Sequence, residues 1–362
     1  MKYVCSLLFL SFSFIIQAQT LQGYVHDEVD GNPLPGAFVY LDGTTYSATT
    51  DASGYFSITT PQKLNTKLVI SYIGYMNIAL HDPYQYTEAI TILMRPQVTQ
   101  LNEVVITKNK GPFSRKEMLE VFRDNFLGQS RAARSCRIAN EDDIDLYFDT
   151  DNNILYAKAY KPLQIRNNYL KYNIVFDLTD FALQYTDKTL NPAYQKGAYF
   201  AGTTFFTDIA DDASVYKKRK NAYLGSTQHL MKTMASGDWE NQKFELFVNS
   251  LKARPEKYLS VTDTLGVKMV TILREVKEAK PLNINISGEN VEELKRRQHN
   301  YERHGKIRFS ILYDRNKQSY FEFTNGTFFI DSNGQYFPLS ELRFGGYMAG
   351  LKAGDMLPAN YK

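Results

Sequence analysis

Three side chains in the second half of the sequence have the spacing of zinc ligands. His299 and Glu302 form an H-x-x-E pair, and His304 follows close behind. Zinc hydrolases hold the ion with three protein ligands and leave a fourth position open for water. The remaining ligand for such a pair is a distant downstream histidine, and no histidine follows His304. We therefore expect no metal ligand here and predict a solvated, charge-rich helical face.

A serine and a histidine three residues apart form a second candidate. Ser226 and His229 fall on one face of a predicted helix, where a histidine base can activate a serine nucleophile. That chemistry needs a further group to orient the histidine, and no acid can be assigned to this role. We therefore predict that Gly225 allows close helix packing and that the ring of His229 finds its partners inside the fold.

The run DTDNN at 149–153 resembles the start of a calcium-binding loop. An EF-hand loop ends on a bidentate acid at its twelfth position, which here is Tyr160. A tyrosine cannot provide this ligand, so we predict a hairpin turn between two strands instead. Cys136 is the one cysteine outside the N-terminal segment, and we predict that it is a buried small hydrophobic residue.

Other catalytic motifs are missing from the sequence. There is no G-x-S-x-G, no glycine-rich phosphate loop and no C-x-x-C pair. We therefore predict no catalytic residue, no cofactor-binding residue and no cofactor. Two carboxylates can be brought together by the fold alone, so a glycan or peptide hydrolase with its carboxylates in the C-terminal region stays open as an alternative.

The N-terminal segment 1–19 has the pattern of a secretory signal peptide. Lys2 precedes an apolar core from Val4 to Ile16, and the small Ala18 comes just before Gln19, after which we predict cleavage. Cys5 lies too early to mark a lipid anchor. No later stretch is apolar enough for a transmembrane helix. We expect an exported protein of the periplasm, the outer-membrane face or the exterior.

The composition of the 362 residues is that of a globular protein with two or three domains. Aromatic residues make up 14%, which favours β structure. Removing residues 1–19, which carry Lys2 and no acid, lowers the formal net charge from +3 to +2. A balance so close to neutral gives no reason to expect a nucleic-acid partner.

Residues 20–95 alternate turn signals with short strand-like runs. Pro35-Gly36, Asp42-Gly43 and the turn at 51–54 separate runs such as AFVYL, YFSIT and AITILM. Strands this short and this regularly spaced predict an antiparallel β-sandwich.

The same segment resembles the carboxypeptidase regulatory-like domain. The positions that carry the resemblance are Gly23, Val25, Pro33 to Ala37, Thr50-Asp51, Gly54 to Phe56 and Ser71 to Tyr75. The resemblance implies a transthyretin-like or immunoglobulin-like fold. It also implies a setting, because this family is abundant in secreted and outer-membrane proteins of Bacteroidota. It does not imply a peptidase, since the metallocarboxypeptidase ligands are missing.

Residues 96–112 are predicted to be a last strand and an exit linker. Within them, LNEVVIT at 101–107 resembles the segment that follows this domain in TonB-dependent transporters. That resemblance leaves a further alternative, in which the protein is an accessory factor of a TonB-dependent outer-membrane system. This alternative requires residues 101–107 to be exposed and free to pair.

Residues 113–362 predict an α+β domain with an antiparallel sheet and two main helices. Ser114 and Glu117 form a capping box at the start of the first helix, and the apolar stripe behind it is Met118, Phe122 and Phe126. The second helical region spans 213–236, and its predicted buried seam is Tyr216, Tyr223, Leu230 and Met234.

Two further patterns in this region lead to structural predictions. The basic run Lys217 to Lys220 predicts a solvated helix face. Asn325-Gly326 and Asn333-Gly334 each predict a hairpin turn.

The C-terminal region also resembles that of a group of uncharacterised Bacteroidota proteins with the same two-part layout. That resemblance implies architecture and localisation and no activity. The sequence as a whole predicts a secreted cell-envelope protein, mainly β, with a non-catalytic binding or assembly role through its β-sandwich. The expected partner is an envelope protein or a glycan, and the oligomeric state is left open.

Overall fold

The computed structural model describes residues 19–97, 111–210, 212–273 and 308–361. The chain divides into two compact units, one of residues 1–41 with 46–99 and one of residues 42–45 with 100–362. The signal peptide predicted before Gln19 lies outside the described residues. So do LNEVVIT and the charged stretch that contains His299, Glu302 and His304.

The first unit contains two sheets. Its strands are β1 (Gln19–Asp27), β2 (Phe38–Leu41), β3 (Ser47–Thr49), β4 (Tyr55–Thr60), β5 (Leu68–Ser71), β6 (Ile78–Leu80) and β7 (Ile90–Met94). One sheet has the order β4-β1-β7 and the other the order β3-β2-β5-β6. The described pairs are antiparallel except β1 with β7, which run parallel. The predicted β-rich unit is present, and this one pair departs from the antiparallel expectation.

The two sheets enclose one hydrophobic core. Val25 and Phe56 from one sheet pack there with Val39 from the other, because alternate side chains of each strand point inward. The turn before β4 depends on Gly54, whose φ is +77° and whose Cβ, if present, would lie 2.5 Å from a backbone oxygen. The Asp51 carboxylate accepts hydrogen bonds from backbone N–H groups of this turn, as the sequence predicted.

The first half of the second unit begins with helices. Helix α1 (Arg115–Phe126) starts at the predicted capping box, in which Ser114 Oγ accepts from Glu117 N and the Glu117 carboxylate accepts from Ser114 N. The predicted stripe is buried, and its members are Met118, Phe122 and Phe126. A short helix α2 (Arg131–Arg134) follows.

A six-stranded antiparallel sheet packs against α1. Its strands are β8 (Cys136–Ile138), β9 (Ile144–Asp149), β10 (Ile154–Ala159), β11 (Leu163–Asn167), β12 (Tyr172–Tyr185) and β13 (Gln195–Asp208). The order is β8-β11-β12-β10-β9, and β13 pairs with β12 over nearly its whole length. Alternate residues of β9, β10 and β12 are buried in the core with α1, and the residues between them point to the other face.

The second half of this unit contains two further sheets and a second core. Its elements are α3 (Ser214–Tyr223), α4 (Thr227–Ser236), β14 (Phe244–Val248), β15 (Leu251–Ala253), β16 (Leu259–Thr264), β17 (Val267–Ile272), β18 (Arg308–Tyr313), β19 (Lys317–Phe323), β20 (Thr327–Ile330), β21 (Tyr336–Phe337), β22 (Leu342–Gly346) and α5 (Tyr347–Gly350). The sheet orders are β15-β14-β18-β19-β22 and β16-β17-β20-β21. The mainly β fold predicted from the sequence is confirmed.

The helical region 213–236 consists of two helices rather than one. Gly225 lies between α3 and α4 with φ of +80°, a conformation that ends a right-handed helix. The predicted buried seam is wrong at Tyr216, which is 62% exposed, whereas Leu230 and Met234 are buried. The break changes the direction of the chain, so a spacing counted across it does not describe one helix face.

Asn325-Gly326 does not form the predicted hairpin. The flanking strands β19 and β20 belong to different sheets, so this turn is a corner between them. The buried carboxylate of Glu341 accepts from the N–H groups of Asn325 and Gly326, both at 2.6 Å, and stabilises the corner. Asn333-Gly334 does connect two paired strands, β20 and β21, as predicted.

Candidate functional site

An open groove lies on one side of the first unit, where edge strands of its two sheets come together. β6 is the last strand of one sheet and β7 the last strand of the other. The groove has a volume of about 610 Å³. Its apolar lining includes Ile78 and Leu80 of β6 and Ile90 and Ile92 of β7. Such a site can take an extended chain with apolar side chains.

The backbone of β7 presents hydrogen-bonding groups at the free edge of its sheet. Met94 O accepts a hydrogen bond from Glu28 N, which follows β1. Ile90 O also points toward β1, because a Cβ on Gly23 would lie 2.2 Å from it. The backbone N–H and C=O groups of Ile90 and Met94 therefore face β1. In a strand, the N–H and C=O of one residue point the same way, and the direction alternates along the chain. The backbone N–H and C=O groups of Thr91 and Leu93 therefore point away from β1, toward the edge of β7 to which no described strand pairs.

The sequence predicted the strand but not the site. The run AITILM indicates β7, yet nothing in it tells whether the strand has one neighbour or two. Leu93, with 53% of its surface accessible, follows the alternating burial of β7, so its exposure marks the outer face of the sheet and gives no signal for the edge.

A second concave site, in the second unit, has a volume of about 340 Å³. Met348 and Tyr336 contribute apolar surface, and Gln228, Lys352 and Asp355 contribute polar groups. Gln228 is held in place, because its Nε2 donates to backbone oxygens of Asn333 at 3.0 Å and Ala359 at 2.9 Å.

Burial perturbs the titratable groups of this cleft. It raises the pKa of Asp355 above its ordinary value, although hydrogen bonds from Ser130 Oγ and Lys352 N oppose the rise. Burial also lowers the pKa of Lys352 and raises the pKa of Tyr336 to about 12. Asp355 is the one carboxylate in the described lining, so this cleft does not assemble the two-carboxylate pair of a glycosidase.

Ser226 and His229 do not form a nucleophile–base pair in this geometry. Ser226 Oγ caps α4 by accepting from the backbone N of His229 at 3.2 Å. The imidazole Nδ1 accepts from Gly225 N at 3.0 Å, so Nε2 carries the proton and donates to Gln242 Oε1 at 2.9 Å. Both ring nitrogens are thus engaged, and burial lowers the pKa of His229. A Cβ on Gly225 would lie 2.8 Å from Tyr313, in agreement with the predicted close packing.

The remaining candidates from the sequence have structural roles where the structure describes them. Asp149 accepts from Asp151 N at 2.9 Å and Asn152 N at 3.1 Å in the hairpin between β9 and β10. Cys136 is buried, as predicted, and burial raises the pKa of its thiol to about 12. A thiol with so high a pKa is a poor nucleophile near neutral pH.

The basic run at 217–220 is not a uniformly solvated face. Lys217 and Lys220 are exposed, but Arg219 is 2% exposed. Its guanidinium donates to both carboxylate oxygens of Asp208 at 2.7 Å and lies 3.8 Å from the ring centre of Tyr172. The prediction was wrong for Arg219, because the helix places it toward the sheet, where carbonyls and a carboxylate are available.

Within the described ranges, no group of three or more His, Cys, Asp or Glu side chains is arranged to hold a metal ion. In that same part of the chain, no helix is long and apolar enough to cross a membrane. The zinc candidates His299, Glu302 and His304 lie outside these ranges.

Comparison with known proteins assigns a family resemblance to the N-terminal part of the chain. Residues 21–106 match the model of the CarboxypepD_reg-like domain, as the motifs of this segment predicted. No curated protein matches the sequence.

Solved structures add little to this resemblance. A C-terminal interface mutant of a type II cohesin–X–dockerin complex from Acetivibrio cellulolyticus is 25% identical over 21% of this chain and 56% of that chain, with a TM-score of 0.18. The N-terminal interface mutant of that complex is 22% identical over 28% and 71%, with a TM-score of 0.19. A 9R-lipoxygenase from Cyanothece PCC8801 is 11% identical over 60% and 48%, with a TM-score of 0.17. The chain covers little more than half of the first of these structures, and TM-scores this low support no conclusion.

Proposed function

We propose that this chain is an exported, non-catalytic binding protein of the cell envelope. In this proposal, the first unit binds an extended segment of a partner protein in the groove between β6 and β7. The observation that supports it is the outer edge of β7, to which no described strand pairs, beside an apolar groove of about 610 Å³. The match of residues 21–106 to the CarboxypepD_reg-like domain and the signal-peptide pattern of residues 1–19 agree with it.

The binding mode follows from the backbone of β7. An extended segment can add to the sheet through the outward N–H and C=O groups of Thr91 and Leu93, as in β-strand addition. Alternate side chains of the added segment then point toward Ile78 and Leu80 across the groove. Backbone pairing provides most of the affinity, and the apolar groove selects which side chains fit.

Proline substitution at the edge is the sharpest test. Thr91→Pro removes an outward N–H without removing a hydrogen bond to β1, since the backbone of Thr91 faces away from that strand. A random library of displayed linear peptides is selected for binding to the immobilised chain of residues 20–362. We expect the selected peptides to bind the wild-type chain. We expect Thr91→Pro to weaken their binding about tenfold or more, measured by fluorescence polarisation.

Ser57→Pro is the matched control for this experiment. Gly54 O accepts from Val25 N, so the backbone of Gly54 faces β1. The direction of the backbone groups alternates along the chain, so the N–H of Ser57, three residues later, points away from β1. Ser57 therefore lies on the outer edge of β4, at the opposite edge of the same sheet from β7. We expect this control to bind the peptides as the wild-type chain does. Equal binding by Thr91→Pro and the wild type, or failure of the selection to give any peptide that binds, would contradict the proposed site.

The proposed location is tested by the N-terminus and the cellular fraction of the chain. The chain recovered from the cells that produce it is expected to begin at Thr20 and to fractionate with the envelope. A chain that retains Met1 and stays with the cytosol would remove the envelope from the proposal and leave the peptide-binding result unaffected.

A further inference from the structure

A row of exposed tyrosines crosses the outer face of the six-stranded sheet. Tyr147 of β9 pairs with Tyr156 of β10, Tyr156 pairs with Ala182 of β12, and Ala182 pairs with Tyr199 of β13. Direct cross-strand partners lie on the same face of a sheet. The tyrosines are 57%, 40% and 60% exposed in this order. We call Tyr147, Tyr156 and Tyr199 the tyrosine row.

The row has a spacing set by the strands. Neighbouring strands lie about 4.8 Å apart, so Tyr147 and Tyr156 are adjacent while Tyr156 and Tyr199 are about 10 Å apart across β12. Ala182 occupies the position between these two and contributes only a methyl group. The row therefore consists of two tyrosines on adjacent strands, a gap at Ala182 and a third tyrosine, all on one face of the sheet.

Polar side chains lie on both sides of the row. Asp145 and Lys158 form the neighbouring cross-strand pair on one side, with Asp180 close by on β12, and Gln184 lies on the other side. All four are exposed. Two carboxylates and one cation leave no net positive charge among these four side chains, so they provide no electrostatic attraction for a polyanion.

We propose that the tyrosine row binds a neutral polysaccharide. The faces of aromatic rings are electron-rich and attract the weakly positive C–H groups on the flat side of a sugar ring. The separation of Tyr156 from Tyr199 corresponds to about two pyranose rings of an extended chain. The flanking carboxylates, Lys158 and Gln184 can exchange hydrogen bonds with hydroxyl groups.

The chemistry of this surface favours a glycan over a second protein. A protein interface is centred on large side chains that fit pockets and are fully removed from water. The tyrosine row is instead exposed across several strands and bordered by charged groups, which stay solvated beside a hydroxyl-rich ligand. All residues of the tyrosine row belong to the second unit, so binding there does not depend on the groove of the first unit.

Affinity electrophoresis of residues 20–362 tests the proposal. The probes are neutral polysaccharides (mixed-linkage β-glucan, xyloglucan, galactomannan and α-mannan), with polygalacturonate as the anionic comparison. We expect at least one neutral polymer to retard the chain. We expect Tyr156→Ala and Tyr199→Ala each to weaken its binding about tenfold and Tyr199→Trp to preserve it.

Tyr216→Ala is the matched control, because Tyr216 is 62% exposed on α3 and lies outside the row. This variant is expected to bind as the wild type does, and circular dichroism verifies that all variants fold. Three results would overturn the proposal. They are no retardation by any neutral polymer, retardation by polygalacturonate alone, or a self-association that disappears in the row variants and identifies a second copy as the ligand.

Discussion

At the scale of single residues, burial decides the role of the titratable side chains. Arg219 has the sequence context of a surface residue, between lysines, yet it is 2% exposed. It donates to Asp208 and to the backbone oxygens of Leu170 and Lys171, both at 2.9 Å. Its guanidinium also holds the pKa of Asp208 below its ordinary value. This residue connects α3 to the β12–β13 region.

Replacement of Arg219 should therefore destabilise the chain. We expect Arg219→Met to lower the free energy of unfolding by about 3 kcal/mol, because the variant leaves buried carbonyls and a carboxylate without their donor. Urea denaturation followed by fluorescence measures this change. The matched variant Lys217→Met, at an exposed position of the same helix, should change stability by less than about 0.5 kcal/mol. Equal effects of the two variants would mean that Arg219 is solvated.

His229 should make the stability of the second unit depend on pH. Burial lowers its pKa in the folded chain below the value of about 6.5 in the unfolded chain. The unfolded chain then binds a proton more readily, so the stability is complete above pH 6.5 and is lost as the pH falls toward the folded pKa. The loss is at most about 1.4 kcal/mol per pH unit.

Urea titrations at several pH values between 5 and 7.5 measure this dependence. We expect His229→Gln to be less stable than the wild type at pH 7.5 but to lose less of its stability on acidification. His81→Gln is the control, because His81 is exposed. If the wild type and His229→Gln lose the same stability between pH 7.5 and 5, the ring of His229 does not titrate as described.

At the scale of elements, one glycine determines how two helices are joined. Gly225 has a left-handed conformation with φ of +80°, and Tyr313 occupies the space where a Cβ would be. The residue therefore serves two purposes, the end of α3 and the close approach to β18. The corner at Asn325-Gly326 has a similar long-range cause, since Glu341 from a distant turn binds its N–H groups.

A pair of alanine variants separates the two effects at Gly225. Gly266 has nearly the same φ, +83°, but no atom lies within 4 Å of its Cβ position. Gly266→Ala should cost about 1 kcal/mol of stability, from backbone strain alone. Gly225→Ala should cost about 2 kcal/mol more, because the methyl group also displaces Tyr313. Similar losses in both variants, measured by urea denaturation, would show that Tyr313 moves aside freely.

At the scale of the whole molecule, the two units offer surfaces of different chemistry. The groove of the first unit is bordered by backbone groups and apolar side chains, which suit an extended peptide. The tyrosine row of the second unit is flat, aromatic and flanked by carboxylates, which suit a neutral glycan. The two proposals are independent, and their variants, Thr91→Pro and Tyr199→Ala, each test one without changing the other surface.

The sequence by itself determined the features that depend on neighbours a few residues away. The capping box at Ser114 and Glu117, the buried stripe on α1 and the turn at Asp51 to Gly54 were all predictable, because each depends on hydrogen bonds or packing within one or two turns of chain. The resemblance of residues 20–95 to the carboxypeptidase regulatory-like domain was also visible in the turn residues of that segment, and the family match at residues 21–106 agrees with it.

Only the tertiary structure decided which strand edges are free and which residues share a face across strands. Three features depend on pairing between distant segments. They are the edge of β7 to which no described strand pairs, the alignment of Tyr147, Tyr156 and Tyr199, and the burial of Arg219. A strand in the middle of a sheet and a strand at its edge have similar local sequences, because the order and register of strands are set by long-range contacts. Both proposed binding surfaces depend on that order and register.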